Sequence, residues 1–156
     1  MCEYCGCQAL DAIAELTREH DEVVALISHV RDAHTRGDVA GMAELAGRIA
    51  GVLGPHTAVE EQGLFPALAA DFPDHVAGLT DEHRRIEAVL VEAASAVPAD
   101  PAWPSRFIDA LHLLREHILA EQDGVFPAAL ATLTTADWKT VDDVRERVHG
   151  TAPHVR

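Results

Sequence analysis

The sequence predicts an all-α protein, an antiparallel up-down four-helix bundle with a short additional C-terminal helix. Three observations carry that expectation. Apolar residues recur at three- and four-residue spacing; Ala, Leu, Glu and Arg dominate the central region while strand-favouring runs are missing; and the breaks between periodic stretches are short. Hydrophobic residues make up 48% of the chain but aromatics only 4%, so Ala, Leu, Val and Ile must fill the core. The 156 residues suit one domain. The expected organisation is a Cys-rich arm over residues 1–8, the bundle over 9–133, and a short helix and tail over 134–156.

The first helix is expected from about Ala9 to His34, with Leu16, His20, Val23, Ile27 and Val30 on one face and Gly37 ending it. Asp38 can cap a second helix carrying Leu45, Ile49, Val52, Leu53, His56 and Glu60. Pro66 lacks an amide proton and should bend or restart that helix, making Gly63-Leu64-Phe65-Pro66 its less regular end. After Pro73 a third helix carries Val76, Leu79, His83, Ile86, Glu87, Leu90 and Val97. Pro98, Pro101 and Pro104 fill the next connection. A fourth helix, starting near Ser105, places Ala110, Leu114, His117, Glu121 and Val125 on one stripe and bends at Pro127. Thr134 followed by Asp137 offers a capped start for a fifth helix through Val148, with Trp138, Val141 and Val144 covering one end of the bundle.

A formal charge of -14 argues against direct binding to nucleic acid or to an anionic membrane, since both need concentrated Lys and Arg. No secretory signal is visible, and the apolar stretches are too short and too interrupted by charge to span a bilayer, so a cytoplasmic protein is expected. Cys2, Cys5 and Cys7 all lie in the first seven residues and cannot staple distant parts of the fold. They read either as a flexible arm or as a redox pair or metal site completed from elsewhere.

The chemistry is carried by a near-copy within the chain. His56, Glu60, Gly63, Leu64, Phe65 and Pro66 recur as His117, Glu121, Gly124, Val125, Phe126 and Pro127. Upstream of each copy, Leu16-Thr17-Arg18-Glu19-His20 returns as Leu79-Thr80-Asp81-Glu82-His83. Residues four apart share a helix face, so His56 with Glu60 and His117 with Glu121 each aim two donors at one centre; His83 with Glu87 has the same spacing. Any one such pair is an ordinary surface contact in a chain with ten histidines and twenty-six acids. Here each lies on a stripe whose neighbours are apolar, and a buried carboxylate costs several kcal/mol unless it is paired or metal-bound. Interior Lys and Arg are too few to pair them all. Four nitrogens and at least two carboxylates exceed the needs of one four-coordinate zinc. Two borderline metals with bridging carboxylates fit better, iron before manganese. The repeated histidines lack the Glu-x-x-His spacing of ferritin-like centres.

With these residues in place, the chain resembles the hemerythrin-like family, the HHE cation-binding domain, over roughly Leu10 to Leu133. The resemblance implies two iron ions inside the bundle, oxo- or hydroxo-bridged, ahead of zinc or manganese. It implies His20 and His56 on one metal, His83 and His117 on the other, and Glu60 and Glu121 between them. Two positions depart from the oxygen-carrying members. Glu87 stands where those have a second histidine, and the fourth-helix carboxylate is Glu121, four residues beyond His117, with Gln at position 122. Both changes resemble the bacterial and regulatory branches. Glu87 as an anionic ligand would lower the reduction potential and leave the more open coordination position on the His20/His56 side. The function so implied is that of a non-haem diiron protein that binds or reacts with O2, H2O2 or NO, with an electron-donor protein as partner where it turns over. The rival readings are a non-enzymatic iron or oxygen sensor and a passive helical scaffold.

Overall fold

The computed structural model describes residues 6–150, and every regular element among them is helical. Helix α1 (Cys7–Thr35) is followed by Gly37, whose left-handed backbone (φ 69°) reverses the chain at no Cβ cost. Asp38 then caps α2 (Val39–Val59), its carboxylate accepting from the Gly41 amide at 2.9 Å. Beyond α2 the helix widens into a π turn, π1 (Glu60–Leu64), and tightens again as α3 (Phe65–Leu68). Helix α4 (Pro73–Val91) begins on a proline, where the missing amide proton does no harm. The repeat returns in α5 (Trp103–Ala120), π2 (Glu121–Val125) and α6 (Phe126–Thr132). A reciprocal capping box between Thr134 and Asp137 starts α7 (Thr135–His149).

Joined across their π turns, these pieces make the four expected helices. Helix α1 packs on α2 and α5, and α4 packs on the same two, closing a four-membered ring that α7 covers at one end. No helix is long and apolar enough to cross a membrane among the described residues.

One expectation needs correction. The third helix stops at Val91, and Val97 lies in the connection, half exposed. Val97 precedes Pro98, whose ring disfavours helical geometry in the residue before it. The connection is held instead by Trp103, which is buried, stacks on Phe107 with centroids 4.9 Å apart and donates its indole N–H to the Val89 carbonyl at 3.1 Å. The helices restart at Pro66 and Pro127, as expected, each through a π turn. The amides of Phe65 and Phe126 reach back five residues, to the carbonyls of Glu60 and Glu121. That wider turn places each proline in the first turn of a fresh α segment, so the helix continues.

The interior is layered. One apolar cluster, including Val23, Ile27, Leu53, Ile86 and Leu114, lies on one side of the histidines, and a second, including Leu16, Val59, Leu79 and Val125, on the other. His20, His56, His83 and His117 fall between them along their helices, so the polar layer is sealed at both ends by apolar side chains.

Candidate metal centre

Glu60 and Glu121 are fully buried, and the four histidines are nearly so. Each glutamate is the first residue of a π turn, so the wide turn of each half begins where its carboxylate enters the core. The side chains form two groups, His20 with His56, Glu60 and Glu121, and His83 with His117, Glu60 and Glu121, each with its ligand atoms within 4.8 Å of one another. Both carboxylates belong to both groups. The inward Nε2 atoms lie close to them: His20 is 3.1 Å and His117 3.3 Å from Glu121, while His56 is 3.3 Å and His83 3.2 Å from Glu60.

The outward nitrogens are held as well. His56 Nδ1 donates to Glu19 at 3.0 Å, and His83 Nδ1 donates to Glu61 at 2.7 Å. His117 Nδ1 lies 3.4 Å from Glu82, and His20 Nδ1 donates to the Gln122 amide oxygen at 3.3 Å. A carboxylate can only accept, so it fixes the proton of its histidine on Nδ1 and leaves Nε2 as the inward donor atom. Two of the rings are also seated on an aromatic of the other half: Phe126 stacks on His20 at 5.5 Å and Phe65 on His83 at 5.7 Å. The repeated phenylalanines thus fix ring planes across the bundle.

Burial opposes the charge on His56, but the Glu60 carboxylate and the hydrogen bond to Glu19 reverse this and raise it to about 10. His83 and His117 are raised too, against burial, through Glu60 and Glu121. Glu60 is held well below the usual carboxylate range despite its burial, chiefly by His56, whereas Glu121 is raised by burial and by the charge of Glu60. Protons on the imidazoles therefore balance the buried carboxylate charge. The balance is incomplete: both Glu60 oxygens, one Glu121 oxygen and both His117 nitrogens are buried without a hydrogen bond. The histidine contacts of Glu60 and His117, at 3.2–3.4 Å, do not meet hydrogen-bond geometry. Orphaned donors of this kind, nitrogen and carboxylate oxygen in two facing groups, fit a pair of divalent or trivalent metal ions.

A small cavity of about 20 Å³ opens beside the four histidines, walled by Leu53, Ile86, Leu114 and Ile118. It has room for about one water-sized guest. Glu87 also borders it, yet its carboxylate pairs with Arg84, its side chain is 45% exposed, and it joins neither group. The remaining six residues singled out by spacing come together. What spacing missed is the set behind them: Glu19, Glu61, Glu82 and Gln122. Glu61 and Gln122 follow the buried glutamates and reach sideways to histidines on neighbouring helices. The signal for Glu19 and Glu82 was available in the Glu-His dipeptide that both copies share.

A third cluster, Glu15, Glu19 and His149, joins α1 to α7. Arg145 bonds Glu15 at 2.7 Å and Asp142 at 2.6 Å, so the cluster forms part of an ion-pair network between helices. His149 is the histidine of a Glu-x-x-His spacing with Glu146, but that spacing lies in α7, away from the two buried groups. Of the N-terminal cysteines only Cys7 falls in α1; Cys2 and Cys5 lie outside the described residues.

Comparison with known families matches residues 11–129 to the hemerythrin HHE cation-binding domain. No curated protein and no solved structure matches the chain. The match spans well over half of the chain, and the chain belongs to that family.

Proposed function

We propose that this member of the hemerythrin HHE family is a non-haem diiron protein that binds or reacts with a small ligand of the O2, H2O2 or NO class. The observation that carries the reading is the pair of buried four-residue groups sharing Glu60 and Glu121, with carboxylate oxygens left unbonded. In this reading His20 and His56 hold one iron, His83 and His117 the other, and the two glutamates lie between them. Bound there, two irons would supply paired one-electron redox chemistry and a coordination position for a small ligand.

The chain's own residues do the rest. Glu19 and Glu61 hold the His56 and His83 imidazoles in one tautomer and raise their basicity, and Glu82 sets its charge 3.4 Å behind His117. Leu53, Ile86, Leu114 and Ile118 keep the neighbouring cavity apolar and small, which favours a diatomic or peroxide over any larger substrate. Zinc would use fewer of these donors, and a site for magnesium or calcium would be built from oxygen alone.

The test is aerobic iron loading of the purified chain with metal analysis and optical spectroscopy. Two irons per chain and near-ultraviolet charge-transfer bands that respond to peroxide or nitric oxide are the expected result. Less than one iron per chain after loading would sink the proposal. A sensing role is the second reading, and one contact favours it: His149 of α7 touches Glu15 and approaches Glu19, which holds His56. Loss of metal would leave the buried donors unmatched and loosen the elements around them, α7 included. Proteolysis of the metal-free and iron-loaded chains, read at α7, distinguishes a responsive helix from an inert one.

A further inference from the structure

The internal repeat pairs surfaces as well as ligands. Gly63 matches Gly124, Leu64 matches Val125 and Ala67 matches Ala128; on the partner helices Leu16 matches Leu79 and Ile13 matches Val76. In the first half this surface is covered. Helix α7 lies across π1, α2 and α1, burying Trp138, Val141 and Val144 in one cluster with Leu16 and Leu64. The approach is so close that a Cβ on Gly63 would meet the Val141 backbone at 3.1 Å. The polar edge of α7 is anchored by cations on acids, Arg145 and His149 on Glu15.

In the second half no helix such as α7 packs across the same surface among the described residues; Leu79 and Val125 are buried, but Gly124 and Phe72 beside them are exposed. A Cβ on Gly124 meets nothing within 4 Å. Around it runs a mainly apolar groove of about 250 Å³, lined among others by Leu68, Phe72, Val76, Leu79, Val125 and Ala128. Phe72 is 45% exposed there. The segments that build the groove, 61–83 and 119–138, contain no Lys or Arg. Exposed Asp71, Asp74 and Asp123 directly precede three of its lining residues, Phe72, His75 and Gly124. The nearest arginine along the chain, Arg84, is engaged by Glu61 and Glu87.

We propose that this groove docks a basic amphipathic helix of a partner protein, seated as α7 is seated in the other half. The apolar floor, the acidic border and the occupied twin site each point to that occupant. Helix α7 is already committed to the first half, where it packs on π1, α2 and α1. A second copy would bring another net charge of -14 against the same acidic border. A seated helix would lie against α4 and π2 one turn from His83 and Glu121, so it would touch the elements that carry the second group without entering it.

The test uses a fluorescein-labelled synthetic peptide with the sequence of residues 135–149 in which Asp142, Asp143 and Glu146 are changed to Lys. Fluorescence anisotropy with the full chain should show saturable, salt-sensitive binding. Two variants should each weaken it by about tenfold or more: Ala128→Asp, which places a charge on the apolar floor, and the surface double change Asp71→Lys with Asp74→Lys. The second alters only exposed residues and guards against a folding defect in the first. Asp32→Lys with Glu44→Lys, an equal charge change on exposed residues elsewhere, should leave binding unchanged. The proposal is overturned by absence of saturable binding, by equal binding to the groove variants, or by equal loss in the distant control. Sedimentation supplies the last arm: a dimer abolished by Ala128→Asp would put a second copy in the groove and overturn the partner helix.

Discussion

The two halves of the centre are built by the same rule and differ by one charge. The residue before the first histidine of each half backs the second histidine of that half: Glu19 serves His56, and Glu82 serves His117. The residue after each shared glutamate backs the first histidine of the opposite half: Glu61 serves His83, and Gln122 serves His20. Three of the four supports are carboxylates, and the fourth is a neutral amide. A carboxylate behind an imidazole makes it a stronger donor. The His83/His117 half should therefore bind metal more tightly and favour its higher oxidation state. In the proposed diiron reading the duplication has kept the six buried residues and varied one support, which would put the inequivalence behind the ligands rather than among them.

The harshest test of that rule removes what the halves share. Glu60→Gln or Glu121→Gln should cost both metals together, because each carboxylate belongs to both groups. His20→Ala or His83→Ala should cost chiefly one. Metal analysis after iron loading reads the contrast, and loss of only one metal in the glutamate variants would show that the carboxylates are not shared.

Proton balance comes next. The folded pKa of His56, about 10, lies above the ordinary value of about 6.5, so its stabilisation of the metal-free chain is complete below about pH 6.5. It is lost as pH rises towards 10. Glu60 has the opposite sign: its pKa is depressed, so its contribution is present above the ordinary carboxylate range and lost as pH falls through the depressed value. The thermal midpoint of the metal-free chain should thus drop between about pH 7 and pH 10, and iron loading should flatten the drop because metal replaces the Nε2 proton. Since His56, His83 and His117 must each shed a proton to bind metal, metal uptake by both halves should weaken as pH falls. A flat profile in the metal-free chain would mean that His56 is not held by Glu60 and Glu19.

The supports themselves come third. Glu61→Gln should weaken metal binding in the second half by about 10- to 100-fold, and Gln122→Glu should strengthen the first half and make the two iron sites more alike. Chelator competition and Mössbauer spectra measure both effects. Spectra unchanged by Gln122→Glu would remove the charge argument for inequivalence.

Much of this was legible before any coordinates. Helical spacing placed His20, His56, Glu60, His83, His117 and Glu121 between apolar neighbours, and burial follows directly from that stripe. Asp38, Gly37 and Thr134 marked helix ends by chemistry that acts within a few residues. What stayed hidden acts across helices. The reach of Glu61 and Gln122 to a neighbouring helix depends on bundle rotation, which one strand of sequence does not encode. Pro66 and Pro127 announced irregularity, but a bend and a π turn satisfy the missing amide equally well on paper. The π turn prevails here with the helix restarting around each proline.

The glycine pair compares the surface under α7 with its twin. Gly63→Ala should destabilise the chain by about 1–3 kcal/mol, because the added methyl meets the Val141 backbone and must push α7 away. Gly124→Ala has open space and should be neutral or stabilising by up to about 1 kcal/mol. Thermal melts of the two variants check the contrast. Equal effects would mean that α7 does not rest on π1.

The smallest expected effect concerns Glu87, whose i,i+4 spacing from His83 matches that of the buried pairs. Spacing fixes a face of the helix but not depth, and at this position the side chain leans to the surface, where Arg84 engages it. An exposed pair of this kind contributes less than about 1 kcal/mol. Glu87→Gln should therefore leave metal content and redox potential unchanged and alter stability little. A carboxylate at the cavity mouth can rotate inward only by giving up Arg84, so Arg84→Ala is the sharper variant. If it changes the optical bands of the iron-loaded chain while the double variant with Glu87→Gln does not, the carboxylate has moved onto a metal, and the second half carries one more anionic ligand than the first. Identical spectra in all three would leave the six buried residues as the whole ligand set and the inequivalence of the halves to Gln122.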